Sequence, residues 1–299
     1  MTYAALGQSN LIVSEIAFGC MSLGEDADAN VHLLHAALDG GITLFDTADL
    51  YQHGRNEELV GRAFRDRRDR VVIATKVGNQ WRPDGTGWDW NPTKAYILES
   101  VEGSLRRLRT DHIDLYQLHG GTLDDPMEEA IEAFERLKQQ GKIRAYGISS
   151  IRPNVIREWV QRRANLATVM MQYGLLDRRP EAFCLQFLHE HGISVLARGS
   201  LAKGLLAGKP AAEFLNYSKT DVQRLTEALA AHADGTHPPE ATALRYALHP
   251  PAVATAVVGI RTPEQLRDAL RAVEAPALTA AEWSALGRVL PPNHYDQHR

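Results

Sequence analysis

ITLFDTADLY, residues 42–51, is an apolar run that ends in Asp46 and is followed shortly by Tyr51. VVIATK (71–76) ends the same way in Lys76, and IDLYQLH (113–119) in His119. Each run is apolar nearly throughout, as a parallel strand buried on both faces must be, instead of alternating like a strand with one wet face. The pattern recurs in EIAFGC (15–20), RAYGIS (144–149), TVMMQY (168–173), SVLARG (194–199) and TAVVGI (255–260), which with TLFDTA (43–48) makes eight strands.

Helical patterns with clear punctuation separate them. Asn91-Pro92 reads as a cap and first-turn proline, followed by Ile97, Val101, Leu105 and Leu108 on one face. Asp125-Pro126 reads likewise, with Glu128 placed to close a capping box and Gly141 to stop the helix. Thr262-Pro263 starts another helix, and Gly40-Gly41 and Gly192 each end one. Strand and helix alternating without a linker predict a single α/β domain over 1–299, a (β/α)8 TIM barrel. An open doubly wound sheet is the alternative, but GCMSLG (19–24) lacks the spacing of a dinucleotide loop. YAAL and LIVS flank GQSN ahead of the first strand, a β-hairpin placed to plug the barrel floor. The stretch 207–242 reads as a helical insertion at the mouth.

Composition narrows the classes. A net charge of −4 argues against nucleic acid or an anionic membrane as partner. The arginine clusters at 65–70 and 106–109 read as solvated helix faces. Two cysteines, Cys20 and Cys184, suggest neither a disulfide framework nor a zinc site. With no signal-peptide pattern at the start and no apolar run of the roughly 18–20 residues that span a bilayer, the expected location is the cytoplasm.

In a parallel barrel the C-terminal strand ends converge on one mouth, so Asp46, Tyr51, Lys76 and His119 are expected to meet there. A phenol has a reference pKa of about 10 and gives up its proton reluctantly. An ammonium within about 4–6 Å stabilises the phenolate and is expected to lower that value. A carboxylate keeps the lysine charged, and a histidine can orient a carbonyl oxygen while the phenol protonates it. Such a device serves carbonyl reduction by hydride.

GITLFDTADLYQHGRNEELVGRAF, VIATKVG, DHIDLYQLH, GKIRAYGIS and VVGIRTPEQL together resemble the aldo-keto reductase superfamily, from about residue 5 to residue 275. LLDRRPE (175–181) and ARGSLAKGLL (197–206) are similar to a bacterial branch of it. The resemblance implies a catalytic tetrad of Tyr51 as acid, Lys76 and Asp46 as its tuners, and His119 as substrate orienter. It implies a nicotinamide cofactor laid across the mouth, NADPH more than NADH. Gly19 and Met21 would line it, Asp46 would touch the ribose, and Ser149 with Ser150 the carboxamide. Met170 stands where a glutamine is common, and Gln172 on the same face could substitute. Arg198 would replace a stacking aromatic; Gly199, Leu201, Lys203 and Gly204 would pass over the pyrophosphate, although Lys203 reads equally as a solvated surface lysine. Gly259, Arg261, Thr262 and Gln265 would hold the adenosine end, with Arg261 on a 2′-phosphate, and Ala269 departs from the usual asparagine. Trp81, Trp88 and Trp90 in GNQWRPDGTGWDWNP (78–92) either wall a substrate pocket or pin a long loop.

The expectation is thus an NADPH-dependent reductase of a small aldehyde or ketone. A non-catalytic NADPH-binding regulatory subunit of the same fold is the rival. A metal-dependent barrel hydrolase would need a His-x-His pair early in a strand and later histidines at strand ends, whereas the twelve histidines are scattered elsewhere.

Overall fold

A computed structural model of the chain describes residues 1–233 and 238–298. Its strands are β1 (Tyr3–Ala5), β2 (Ile12–Ser14), β3 (Ile16–Gly19), β4 (Leu44–Asp46), β5 (Val72–Val77), β6 (Asn79–Trp81) and β7 (Trp88–Trp90). They continue as β8 (Ile113–Leu118), β9 (Ile143–Ser149), β10 (Thr168–Gln172), β11 (Ser194–Arg198) and β12 (Val253–Gly259). The helices are α1 (Ala27–Asp39), α2 (Arg55–Phe64), α3 (Lys94–Leu108), α4 (Met127–Gln139) and α5 (Pro153–Gln161). After them come α6 (Cys184–Glu190), α7 (Lys219–His232), α8 (Pro239–Leu248), α9 (Pro263–Glu274) and α10 (Ala280–Gly287).

Strands β3, β4, β5, β8, β9, β10, β11 and β12 close into a barrel in that order, β12 pairing back onto β3. All pairings within it are parallel. The (β/α)8 reading therefore holds, and the open sheet does not. Because the side chains of a strand alternate, every second residue points inward. Ala17, Leu44, Ala74, Leu115, Ala145, Met170, Leu196 and Val257 fill the interior, and Leu6, Leu11 and Val13 from the β1–β2 hairpin close its floor. The opposite strand faces pack beneath the helices, with Phe18, Phe45, Tyr116, Tyr146 and Trp159 fully covered.

Two helix starts differ from expectation. Thr93 caps α3, its hydroxyl accepting from the amide of Tyr96, while Asn91 accepts from the Thr93 hydroxyl. At α4 no side chain caps the helix, so the capping box with Glu128 is absent; Asp125 is drawn away by Thr122 and Trp90. Thr262 caps α9 as read, with Pro263 in the first turn. Among the described residues of the expected insertion, α7 is helical and the first turn of α8 falls within it; 207–218 is irregular apart from a bridge between Phe214 and Tyr217, and α8 is the crossover into β12. Residues 234–237 of that expected insertion lie outside the described ones. Among the described residues no helix is long and apolar enough to cross a membrane. Both cysteines are buried and unpaired.

Candidate active site

The interior periodicity places the chemistry. Two residues beyond inward-facing Leu44 and Ala74 come Asp46 and Lys76, one layer nearer the mouth. His119 follows the end of β8, its amide donating to the carbonyl of Val77 at 2.8 Å. Tyr51 lies past β4 on a short turn, Tyr51–Gly54, in which Gln52, His53 and Gly54 are all left-handed at φ 52°, 56° and 84°. That turn folds the phenol back over the strand ends.

Lys76 is 1% exposed, and its ammonium hydrogens are all spoken for. Nζ donates to Asp46 Oδ1 and Oδ2 at 2.8 Å each, to the carbonyl of Thr47 at 2.7 Å, and to Tyr51 Oη at 3.5 Å. Burial works against the ammonium, but Asp46 and Tyr51 more than restore it and hold Lys76 above the ordinary lysine range. Burial pushes the Asp46 carboxyl up, opposed by Lys76. The Tyr51 phenol is also pushed up by burial, with Lys76 pulling the other way. The expected lowering of the phenol is therefore corrected: desolvation outweighs the ammonium, and Tyr51 keeps its proton.

His119 meets Tyr51 edge-on, ring centroids 6.0 Å apart. Burial first, then Lys76 and Arg198, lower its pKa to about 3, so the imidazole is neutral at physiological pH. Its Nδ1 is buried without a hydrogen-bond partner among the described residues.

Around this centre the strand ends form a rim. Gly259 is in register with Gly19, and Gly19 with Asp46. A Cβ on Gly259 would stand 2.4 Å from Ser22 Oγ, so glycine there makes room for Ser22. Met21 projects into solvent at 65% exposure. Ser149 ends β9 and Ser150 follows it, Ser150 buried and Ser149 half-buried. Met170 is buried in the interior cluster, and Gln172 sits one step above it on the same face, accepting from Arg198 Nη1 at 3.3 Å. Arg198 is close enough to act electrostatically on Asp46, Tyr51 and His119 alike. Gly199, Leu201, Lys203 and Gly204 follow it in an irregular loop; Lys203 is exposed, and its carbonyl accepts from Lys209 Nζ. Arg261 is tethered by Nε to the carbonyl of Ser22 at 2.8 Å, and its amide donates to Gln265 Oε1, directly before the helix that Thr262 caps.

The tryptophans part company. Trp81 stacks on His53, ring centroids 3.7 Å apart, beside the Tyr51 turn. Trp90 lies against Gly78 and Gly120 and donates to Asp125 Oδ1 at 2.9 Å, fastening two loops together. Trp88 is 46% exposed. Among the described residues no cluster of His, Cys, Asp or Glu could hold a metal ion.

Several supporting residues carried no sequence signal of their role. The Thr47 hydroxyl donates to Asn56, which donates to the carbonyl of Cys20. The final segment crosses the loop after β10, where Asn293 accepts from the amide of Arg178 and Arg179 lies over the Tyr295 ring. In DRRPE, Asp177 pairs with Arg179 and Glu181 with Arg178, stiffening that loop.

The sequence matches the family model of the Aldo/keto reductase family over residues 15–290. An uncharacterized oxidoreductase of Bacillus subtilis, YqkF, is 48% identical over 303 aligned residues covering 98% of each chain. Among solved structures, the aldo-keto reductase AKR11C1 of Bacillus halodurans in its holo form superposes with a TM-score of 0.94 at 47% identity, covering 100% of this chain and 99% of that one. Its apo form superposes at 0.86 and 45% identity, with the same coverage.

Proposed function

Because the chain belongs to the aldo/keto reductase family, we propose that it reduces an aldehyde or ketone to the alcohol with hydride from NADPH, Tyr51 being the general acid. The observation that carries this reading is the buried Lys76 ammonium, held by Asp46 and Thr47 and aimed at Tyr51 Oη. A bound nicotinamide supplies the hydride. As charge develops on the substrate oxygen, Tyr51 releases its proton to it, and Lys76 stabilises the phenolate left behind. Neutral His119 hydrogen-bonds the same oxygen and holds the carbonyl in line. Arg198, half-buried above the centre, favours the developing anion.

The rim residues suit an extended dinucleotide. Gly259 is exposed at the end of β12, and the capped N-terminus of α9 beside Arg261 favours an anion. Arg261 therefore reads as the partner of a 2′-phosphate, with Gln265 fixing its backbone. Better superposition on a relative's holo form than on its apo form agrees with loops arranged to receive a cofactor. Trp81, stacked on His53, forms an apolar wall for the substrate. Two buried, unpaired cysteines suit a reducing compartment, and we place the protein in the cytoplasm.

Following NADPH absorbance with aromatic aldehydes, α-dicarbonyls and simple ketones tests the reading. Consumption with at least one class is expected. No consumption with any of them overturns it in favour of a cofactor-binding regulatory role.

A further inference from the structure

One side chain of α3 lies beneath the turn that carries Tyr51. Arg107 donates through Nε to Glu57 Oε2 at 2.7 Å and through Nη2 to Ser104 Oγ at 3.3 Å. Glu57 is fully buried, and its other oxygen accepts from Thr75 Oγ1 at 2.5 Å. Thr75 precedes Lys76 on β5. A continuous polar chain therefore runs from α3 through α2 to the strand that delivers the ammonium.

The same arginine supports the turn directly. A Cβ on Gly54 would stand 2.6 Å from Arg107 Cδ and 2.7 Å from Nε, so the turn rests on the arginine stem. Gly54 closes the left-handed run of Gln52 and His53, a conformation that non-glycine residues keep only where the surroundings enforce it. The arginine is itself well anchored: a Cβ on Gly61 of α2 would fall 2.5 Å from the Arg107 carbonyl, so the two helices touch backbone to backbone. Arg107 also acts on buried Asp49, two residues before Tyr51, as do Glu57 and Lys76.

We propose that Arg107 is a positioning residue for the reduction: it props the turn behind Tyr51 and, through Glu57 and Thr75, holds that turn in register with Lys76. This rests on the reading of Tyr51 as the acid. Nothing in Arg107 touches the reacting atoms; it keeps phenol and ammonium in reach of each other, where a small displacement is costly.

The test compares Arg107→Met, Arg107→Lys and Thr75→Val with wild type, using saturating NADPH and a carbonyl substrate that wild type reduces. Arg107→Met is expected to lower kcat by about tenfold or more, with KM and the NADPH dissociation constant little changed. Arg107→Lys recovers part of the loss, because charge and stem remain. Thr75→Val lowers kcat by about threefold or more, and the double variant Thr75→Val/Arg107→Met loses less than the product of the two, since both act through Glu57. Circular dichroism identifies folded variants; should Arg107→Met not fold, Thr75→Val and Arg107→Lys decide. A folded Arg107→Met, or in its absence a Thr75→Val, with wild-type kcat overturns the proposal, as does a loss confined to KM or to NADPH binding. Tyr51→Phe in the same series separates the two readings. If it is inactive while the Arg107 and Thr75 variants are not, only the positioning role falls; if it is fully active, the reductase mechanism falls first.

Discussion

Lys76 Nζ stands 2.8 Å from each carboxylate oxygen of Asp46, with both side chains almost wholly covered. Symmetric contact of this kind leaves the ammonium no freedom to swing, and its remaining hydrogens reach Thr47 and Tyr51. On the proposed mechanism, the charge that would meet a Tyr51 phenolate is thus in place before any proton moves, as preorganised electrostatic catalysis requires.

Tyr51→Phe removes the proton and leaves the ring. Carbonyl reduction is expected to fall by about 10²–10⁴-fold, the usual range for a positioned general acid. NADPH affinity, read by fluorescence titration, should change little. A variant as active as wild type would remove Tyr51 from its role.

Lys76→Met abandons Asp46 as a buried carboxylate without its cation. Breaking one side of a buried pair costs about 3–5 kcal/mol, which urea unfolding would read as a lower midpoint at unchanged slope. The double variant Lys76→Met/Asp46→Leu should recover much of that stability and none of the activity. Recovery of activity would contradict the assigned role of the ammonium.

Stability should depend on pH through two groups of opposite sign. His119 is lowered from 6.5 to about 3, so between those values the unfolded chain binds more protons; its contribution is full above 6.5 and lost on acidification towards 3. Asp49, 9% exposed, is raised from 3.8 to about 8, chiefly by burial and then by Glu57; its contribution is full below 3.8 and lost as pH rises to 8. Above 6.5 only the second acts, so the thermal midpoint should decline from pH 6.5 to 8 and Asp49→Asn should flatten that decline. An unchanged slope in the variant would refute the assignment to Asp49.

Arg261→Ala probes the cofactor's adenosine end. Loss of a charge-assisted contact at an exposed site should weaken NADPH by about tenfold and leave NADH nearly untouched. If the wild type binds both nucleotides equally, Arg261 has no such contact to lose.

The barrel and the convergence of Asp46, Tyr51, Lys76 and His119 were legible because both rest on local signals. Doubly buried strands write themselves as unbroken apolar runs, and a polar residue at the end of such a run has only the mouth to face. Helix starts were less legible: Asp125-Pro126 looks like a cap, but Trp90, 35 residues earlier, claims the carboxylate. The Arg107–Glu57 pair spans 50 residues and Arg178–Asn293 spans 115, and nothing local in the chain announces either. The direction of the Tyr51 shift escaped for a different reason. Proximity to an ammonium can be guessed from strand ends, whereas the depth of burial that opposes it depends on everything packed around the phenol.

Val258 of the last barrel strand lies in register with Phe18 of the first. Until that strand emerges during synthesis, β3 and β11 each present a row of unpaired backbone donors and acceptors. Exposed edges of this kind recruit other chains. A nascent or clipped polypeptide that stops short of residue 253 therefore carries two adhesive borders in place of a seam. Shortened forms of this protein should fail by sticking to one another, well before any defect in the chemistry could be noticed.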